Sequence, residues 1–147
     1  MKSIEKYYDN TKDANPNYTI RKFIELNAKP GNVVEFGCGA GRDTVYLIRK
    51  WWNVLSIDRE EVEFRITANL NEEELKYFKF SKQIFEDIEL EKNNLVVTNF
   101  SHSFCNKNNF KELWNKMYLI KKYQIFWLDT EKSCFFYTIL SIIYHKN

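Results

Sequence analysis

The stretch Val33-Val34-Glu35-Phe36-Gly37-Cys38-Gly39-Ala40-Gly41-Arg42-Asp43 decides how the chain is read. A β-prone, mostly apolar run meets three glycines that alternate with small residues, and a helix-compatible segment follows. Such a turn lets backbone approach a ligand closely, because glycine has no Cβ and tolerates positive φ. A helix opening after Gly41 points its free N–H groups back at the same place. Nucleotide-type ligands sit there in open parallel sheets. The spacing is GxGxG rather than the GxGxxG of dinucleotide-binding folds, and Glu35 stands two residues before the first glycine.

Working outward, strands and helices alternate. Residues 32–36 read as the first strand, 43–50 as a helix carrying Val45, Leu47 and Ile48, and 53–57 as the second strand, ending at Asp58. A helix is expected from Glu60, with acids in its first turn as the helix dipole prefers. Asn71 with Glu74 forms a capping-box pair for a short helix through Phe78. The third strand is expected at 82–85 with Asp87 just beyond it, and the fourth at 95–99. Asn109 with Glu112 opens a helix containing Phe110, Leu113, Trp114, Met117 and Tyr118, and the fifth strand is expected at 123–128. Upstream, Asn15-Pro16 reads as an N-cap with proline at the first helical position. That helix carries Ile20, Phe23 and Ile24 and ends near Pro30-Gly31. This alternation implies right-handed βαβ units and a parallel sheet covered on both faces. A last β-prone run, 134–144, is expected to pair antiparallel beside the fifth strand; otherwise that edge is open and invites a homodimer.

The 147 residues are expected to form a single domain, 1–147, and an aromatic content of 17% argues against disorder. Net charge is only +2 with Lys and Glu interspersed, so no one-sided basic field marks a nucleic-acid partner. Cys38, Cys105 and Cys134 are dispersed, which offers no disulfide framework and points to a reducing compartment. With His102 and His145 as the only histidines, no zinc site is expected. The N-terminus lacks an apolar signal core, and the longest apolar stretch is too short and interrupted to span a bilayer. The expected location is cytoplasmic, away from membranes.

Several residues carry candidate chemistry. Asp58 reads two ways: a carboxylate accepting hydrogen bonds from the vicinal hydroxyls of a ribose, or a helix N-cap. Glu35, late in a buried strand, needs a partner, and the backbone N–H groups of the glycine loop are within the chain's reach. Asp87 is either a ligand contact or one more solvated acid beside Glu86, Glu89 and Glu91. The segment from Asn99 and Phe100 through His102 to Cys105 leaves the fourth strand over the same rim. His102 reads as a general base or as an inert loop residue, and Cys105 as plain packing. Tyr7 and Tyr8 read as a lid over the ligand or as an aromatic anchor for the N-terminal segment.

The run from Gly37-Cys38-Gly39-Ala40-Gly41 to Val54-Leu55-Ser56-Ile57-Asp58 resembles motif I of the class I S-adenosylmethionine-dependent methyltransferases. It looks most like the small members of the tellurite-resistance and thiopurine type, and residues 94–105 are similar to their strand-four region. The likeness covers about residues 1–120. It implies an α/β, Rossmann-like class I methyltransferase sheet, mostly parallel, with a shortened C-terminal strand region. It further implies S-adenosylmethionine as cofactor and a small-molecule methyl acceptor, of which a thiol or chalcogen compound is one type. By this resemblance Glu35, Gly37, Gly39, Asp58 and Asp87 bind the cofactor, with Cys38, Arg59, Ile88 and Asn99 as neighbours. Asp87 would then accept from the adenine amino group while Ile88 packs on the ring, Glu35 would meet the methionine amino group, and Arg42 is a candidate for the methionine carboxylate. A sulfonium is an activated donor, so positioning matters more than acid–base groups and no catalytic residue is nominated.

The chain departs from the family pattern in three places. Trp51 stands in a helix-to-strand turn where glycine is favoured, which strains the backbone if φ is positive there. Lys121-Lys122-Tyr123 lacks the usual glycine pair before the fifth strand, and the sequence stops where a seven-stranded member would continue. The rival reading is therefore a non-catalytic, degenerate binder of S-adenosylmethionine without a complete acceptor pocket. A nicotinamide-dependent oxidoreductase is disfavoured by the glycine spacing.

Overall fold

The computed structural model describes residues 3–26, 29–89, 91–99, 109–119 and 121–127. Five strands, β1 (Asn32–Phe36), β2 (Asn53–Asp58), β3 (Phe78–Lys82), β4 (Asn93–Asn99) and β5 (Lys121–Trp127), form one sheet in the order β3-β2-β1-β4-β5. Every neighbouring pair is parallel. The helices are α1 (Ser3–Thr11), α2 (Tyr18–Glu25), α3 (Arg42–Ile48), α4 (Glu63–Thr67), α5 (Glu72–Leu75) and α6 (Phe110–Leu119), with a 3₁₀ turn at Phe85–Asp87. The chain moves outward from β1 through β2 to β3, then returns to the other side of β1 as β4. That reversal leaves a crevice at the carboxyl ends of β1 and β4, where open α/β sheets bind ligands. The Rossmann-like parallel sheet expected from the sequence is the fold observed.

Period-two alternation sorts the strand side chains into two layers. Val33, Val54, Leu95 and Val97 pack with Ile20, Phe23, Leu47, Ile48 and Trp52 under α2 and α3. Val34, Phe36, Ile57 and Val96 face the opposite side with Phe85, Ile88 and Leu113. Burying a side chain such as Leu47 or Ile48 contributes about 2 kcal/mol each, and both are fully buried. A third cluster of Tyr8, Cys38, Ala40, Val62 and Ile66 closes over the glycine turn.

Four sequence expectations are corrected. The third strand is Phe78–Lys82, not 82–85. The capping box of Asn71 and Glu74 forms as expected, yet its helix stops at Leu75, and Tyr77 O accepts from Val54 N at 2.8 Å to begin strand pairing. Phe78 and Phe80, separated by exposed Lys79, alternate as a half-buried edge strand does. The N-cap of α2 is Asn17 rather than Asn15: its side chain accepts from Thr19 N at 2.8 Å, and the helix ends at Glu25. The helix expected from Glu60 begins at Glu63. The N-terminal segment holding Tyr7 and Tyr8 is helical, which the sequence pattern had not indicated. Phe100, His102, Cys105, Cys134 and the run 134–144 lie outside the described residues. Among the described residues no helix is long and apolar enough to cross a membrane.

Candidate functional site

The turn after β1 is built on three left-handed glycines: Gly37 at φ 70°, Gly39 at 55° and Gly41 at 81°. The amides of Gly37 and Cys38 both donate to Ile57 O, at 2.8 and 3.2 Å, so the loop folds over the end of β2. Gly41 N donates to Cys38 O at 2.9 Å and delivers the chain into α3. The space beside two of these glycines is occupied. A Cβ on Gly39 would stand 3.4 Å from Tyr8 Cε1, and one on Gly41 would overlap Ile66.

Asp58 ties this loop to β2. Its Oδ2 accepts from Gly39 N at 2.9 Å, and its Oδ1 accepts from Glu60 N at 3.0 Å. The second bond is an Asx turn rather than a helix N-cap, because α4 starts only after Val62. Each carboxylate oxygen has two acceptor sites, so the carboxylate retains capacity for further donors. A charge-assisted bond from Gly39 N–H presets the loop's conformation.

Beneath the loop lies a buried polar chain. Glu35 and Ser56 follow Val33 and Val54 by two residues, so they point to the same face, towards α3. There Thr44 Oγ1 donates to Glu35 Oε2 at 2.5 Å and lies 2.9 Å from Ser56 Oγ. Glu35 thus finds its partner on α3, whereas the amides of Gly37, Cys38, Gly39 and Gly41 go to Ile57, Asp58 and Cys38. Burial, reinforced by the Asp43 carboxylate and opposed by the Thr44 hydroxyl, pushes the Glu35 carboxyl up to about 8. Glu35 therefore releases its proton less readily than an ordinary carboxyl. Burial likewise holds the Cys38 thiol protonated, with Glu35 adding to the shift. Asp43, at the start of α3, accepts from Asn17 N at 2.7 Å and so anchors α2 to the loop.

Helix α1 lies over the glycine turn. Tyr8 is only 6% exposed, while its neighbour Tyr7 is 54% exposed. Burial chiefly, then the acids Asp58 and Glu60, raises the Tyr8 phenol above its usual range. Of the two earlier readings of the tyrosines, Tyr8 has the position of an anchor packed on the loop.

The remaining sequence candidates are more scattered. Arg59 is exposed, with Nε 3.6 Å from Glu60 Oε1. Asp87 is exposed at the end of the 3₁₀ turn beyond β3, but Ile88 is buried among Phe36, Ile57 and Phe85. Asn99 closes β4, level with Trp127 of β5. Glu35, Gly37, Cys38, Gly39 and Asp58 are therefore brought together, with Arg59 next to them. Thr44, Ser56 and Asp43 were not singled out for their contacts with the site. Two-residue spacing from Val33 and Val54 placed Glu35 and Ser56 on one face, but which helix covers that face is not a local property.

The family described as tellurite resistance protein TehB matches residues 3–127. No curated protein sequence matches significantly. Among solved structures, TehB from Haemophilus influenzae superposes with a TM-score of 0.64 and 16% identity, covering 80% of this chain and 41% of that one. The glycopeptide N-methyltransferase MtfA complexed with S-adenosylmethionine gives a TM-score of 0.60 and 17% identity, covering 77% of this chain and 55% of that one. The plantazolicin methyltransferase BpumL in complex with SAH gives 0.56 and 17%, covering 80% and 48%. The chain spans about half the length of the solved structures it matches first. At these identities the structural matches establish the fold. With the family pattern running from α1 through β5, the chain belongs to the tellurite resistance protein TehB family.

Proposed function

We propose that this chain binds S-adenosylmethionine at the carboxyl edge of β1 and β2 and transfers its methyl group to a small-molecule nucleophile, with thiol or chalcogen acceptors the first to try. One observation carries the reading: the left-handed backbone at Gly37 and Gly39 converges with the Asp58 carboxylate, 2.9 Å from Gly39 N. The unspent acceptor sites of Asp58 suit the two hydroxyls of a ribose. Gly37 and Gly39 stay partly accessible, which leaves room for a ligand along the loop. Asp43, Asp58 and Glu60 make the surroundings acidic, as a cationic ligand requires. The structural relatives MtfA and BpumL were crystallised with S-adenosylmethionine and SAH, respectively, which supports the same cofactor here.

When bound, this cofactor supplies a sulfonium-activated methyl group. The chain's own residues have the task of holding and aligning. Asp58 would take the ribose, and the glycine turn the adjoining methionine end. Glu35, whose carboxyl is raised by burial, would meet the methionine amino group. Asp87, on the exposed turn beyond β3, would accept from an adenine amino group, and Ile88 would pack near the ring. Arg59 and Asn99 flank the same rim. Cys38 serves as a small packed side chain, since a thiol held protonated is a poor nucleophile. The three dispersed cysteines fit a reducing cytoplasm.

Calorimetric titration with S-adenosylmethionine and S-adenosylhomocysteine tests the reading. Asp58→Asn keeps one oxygen for Gly39 N–H and should weaken binding at least about tenfold, the cost of losing charged acceptors. An affinity unmoved by this substitution removes Asp58 from the ribose role. A folded sample that binds neither ligand overturns the cofactor reading. Binding without turnover over a panel of thiol, selenium and tellurium acceptors favours the non-catalytic rival.

A further inference from the structure

We propose that α1 is a strap latched across the glycine turn by Arg65, and that opening of this latch gates exchange at the site beneath it. The gating half rests on the cofactor reading above; the latch itself rests on contacts between α1 and α4. A helix of nine residues does not hold itself in water, so tertiary anchors decide where α1 lies. Those anchors are few. Glu5, Lys6, Tyr7, Asp9 and Asn10 are exposed, whereas Tyr8 is buried and Ile4 packs partly against the same cluster.

Arg65 of α4 grips α1 twice. Its Nη1 donates to Asp9 Oδ1 at 2.7 Å, and its guanidinium carbon lies 5.6 Å from the centre of the Tyr8 ring. One planar group thus makes an ion pair with one residue and a cation–π contact with the next, a combination lysine cannot reproduce. The Tyr8 ring stands where a Cβ on Gly39 would point, and the Gly39 amide is bound to Asp58. A ligand that reaches Asp58 along the glycine backbone passes the Tyr8 ring. Thr11 Oγ1 bonds back to Tyr7 O, and Ala14 N closes a turn onto Thr11 O, so the strap ends in a compact bend before α2. The residues between Thr11 and Asn17 are the natural hinge, because they are largely exposed and belong to neither helix.

Two experiments on the full chain test this. Amide exchange of the ligand-free protein should show residues 3–11 opening about tenfold more often in Arg65→Ala, the loss expected for one partly buried ion pair with its cation–π contact. Arg65→Lys should restore only part of the protection. Asp9→Asn, on the exposed side of α1, cannot unfold the core and should loosen the strap by a smaller factor. Stopped-flow binding of S-adenosylhomocysteine should then show association and dissociation both accelerated in Arg65→Ala, with a small change in Kd. Unchanged exchange at residues 3–11 in both variants overturns the latch. A loosened strap with unaltered ligand rates, or a change in dissociation alone, overturns gating and makes α1 a passive wall. A folded chain that takes up no S-adenosylhomocysteine sinks the cofactor reading and the gating half together, while amide exchange still decides the latch.

Discussion

The two ends of α3 make the same demand on the backbone and meet it with opposite residues. At the entrance stands Gly41, at φ 81°; beyond the exit stands Trp51, at φ 67°. At the exit, Trp52 N donates to Leu47 O and Trp51 N to Ile48 O, the Schellman arrangement whose left-handed position usually holds glycine. Trp51 is 63% exposed there, its ring edge-on to Tyr77 at 5.7 Å. At the entrance no side chain fits, because Ile66 already fills the place of a Cβ. A left-handed conformation costs a non-glycine residue about 1–2 kcal/mol anywhere. Only crowding turns that tolerable cost into an exclusion. The glycine turn is therefore a spatial requirement, and the tryptophan turn a conformational cost partly offset by an aromatic contact.

The largest effect is expected for Gly41→Ala. Backbone strain and overlap with Ile66 together should cost about 3 kcal/mol in urea unfolding. Adding Ile66→Ala should recover the steric share, so that the double variant costs less than the two single effects summed. A cost for Gly41→Ala no larger than an ordinary surface change would show that the entrance is not crowded.

A second contrast lies in pH. Thr44 couples the entrance of α3 to Glu35, whose carboxyl is pushed from an ordinary 4.5 up to about 8. Between those values the folded chain holds a proton that the unfolded chain releases. This contribution to stability is complete below about 4.5, falls as pH rises, and is gone above about 8. At its steepest the loss is about 1.4 kcal/mol per pH unit. Urea unfolding between pH 5 and pH 9 should show that slope in the parent chain and a flatter one in Glu35→Gln. Parallel slopes would mean that Glu35 is already ionised at neutral pH.

The smallest effect is expected at the exit. Trp51→Gly relieves the strain and loses the Tyr77 contact, so its net change should stay within about 1 kcal/mol. Trp51→Ala loses the contact and keeps the strain, and should be the less stable of the two by about 1 kcal/mol. Thermal unfolding of the pair measures the left-handed cost directly, and equal stabilities would abolish it.

Much of the site was legible because its signals are local. Alternating glycines after an apolar strand specify a tight left-handed turn whatever surrounds them, and Asp58 at the next strand's end follows from the same βαβ unit. At Trp51 the family pattern indicated only a turn that favours glycine, with strain if φ is positive, and the φ of 67° comes from the structure. The third strand was misplaced because Tyr77 and Phe78 also suit the end of a capped helix. Pairing of β3 with β2, from Val54 and Phe78 onward, settles that ambiguity, and it is a long-range effect. Glu35 was legible as a buried acid in need of a partner. Its partner was not, because Thr44 reaches it only when α3 lies across β1 and β2.

Local sequence specifies the parallel α/β class, the glycine turn and the acid at its side. Each is set by the φ preferences and hydrophobic period of a few consecutive residues. Long-range packing sets the order β3-β2-β1-β4-β5, the raised proton affinity of Glu35, the anchoring of α2 on Asp43, the grip of Arg65 on α1 and the left-handed backbone at Trp51. These depend on which distant surfaces share a buried, low-dielectric space, and the packed chain alone brings those surfaces together.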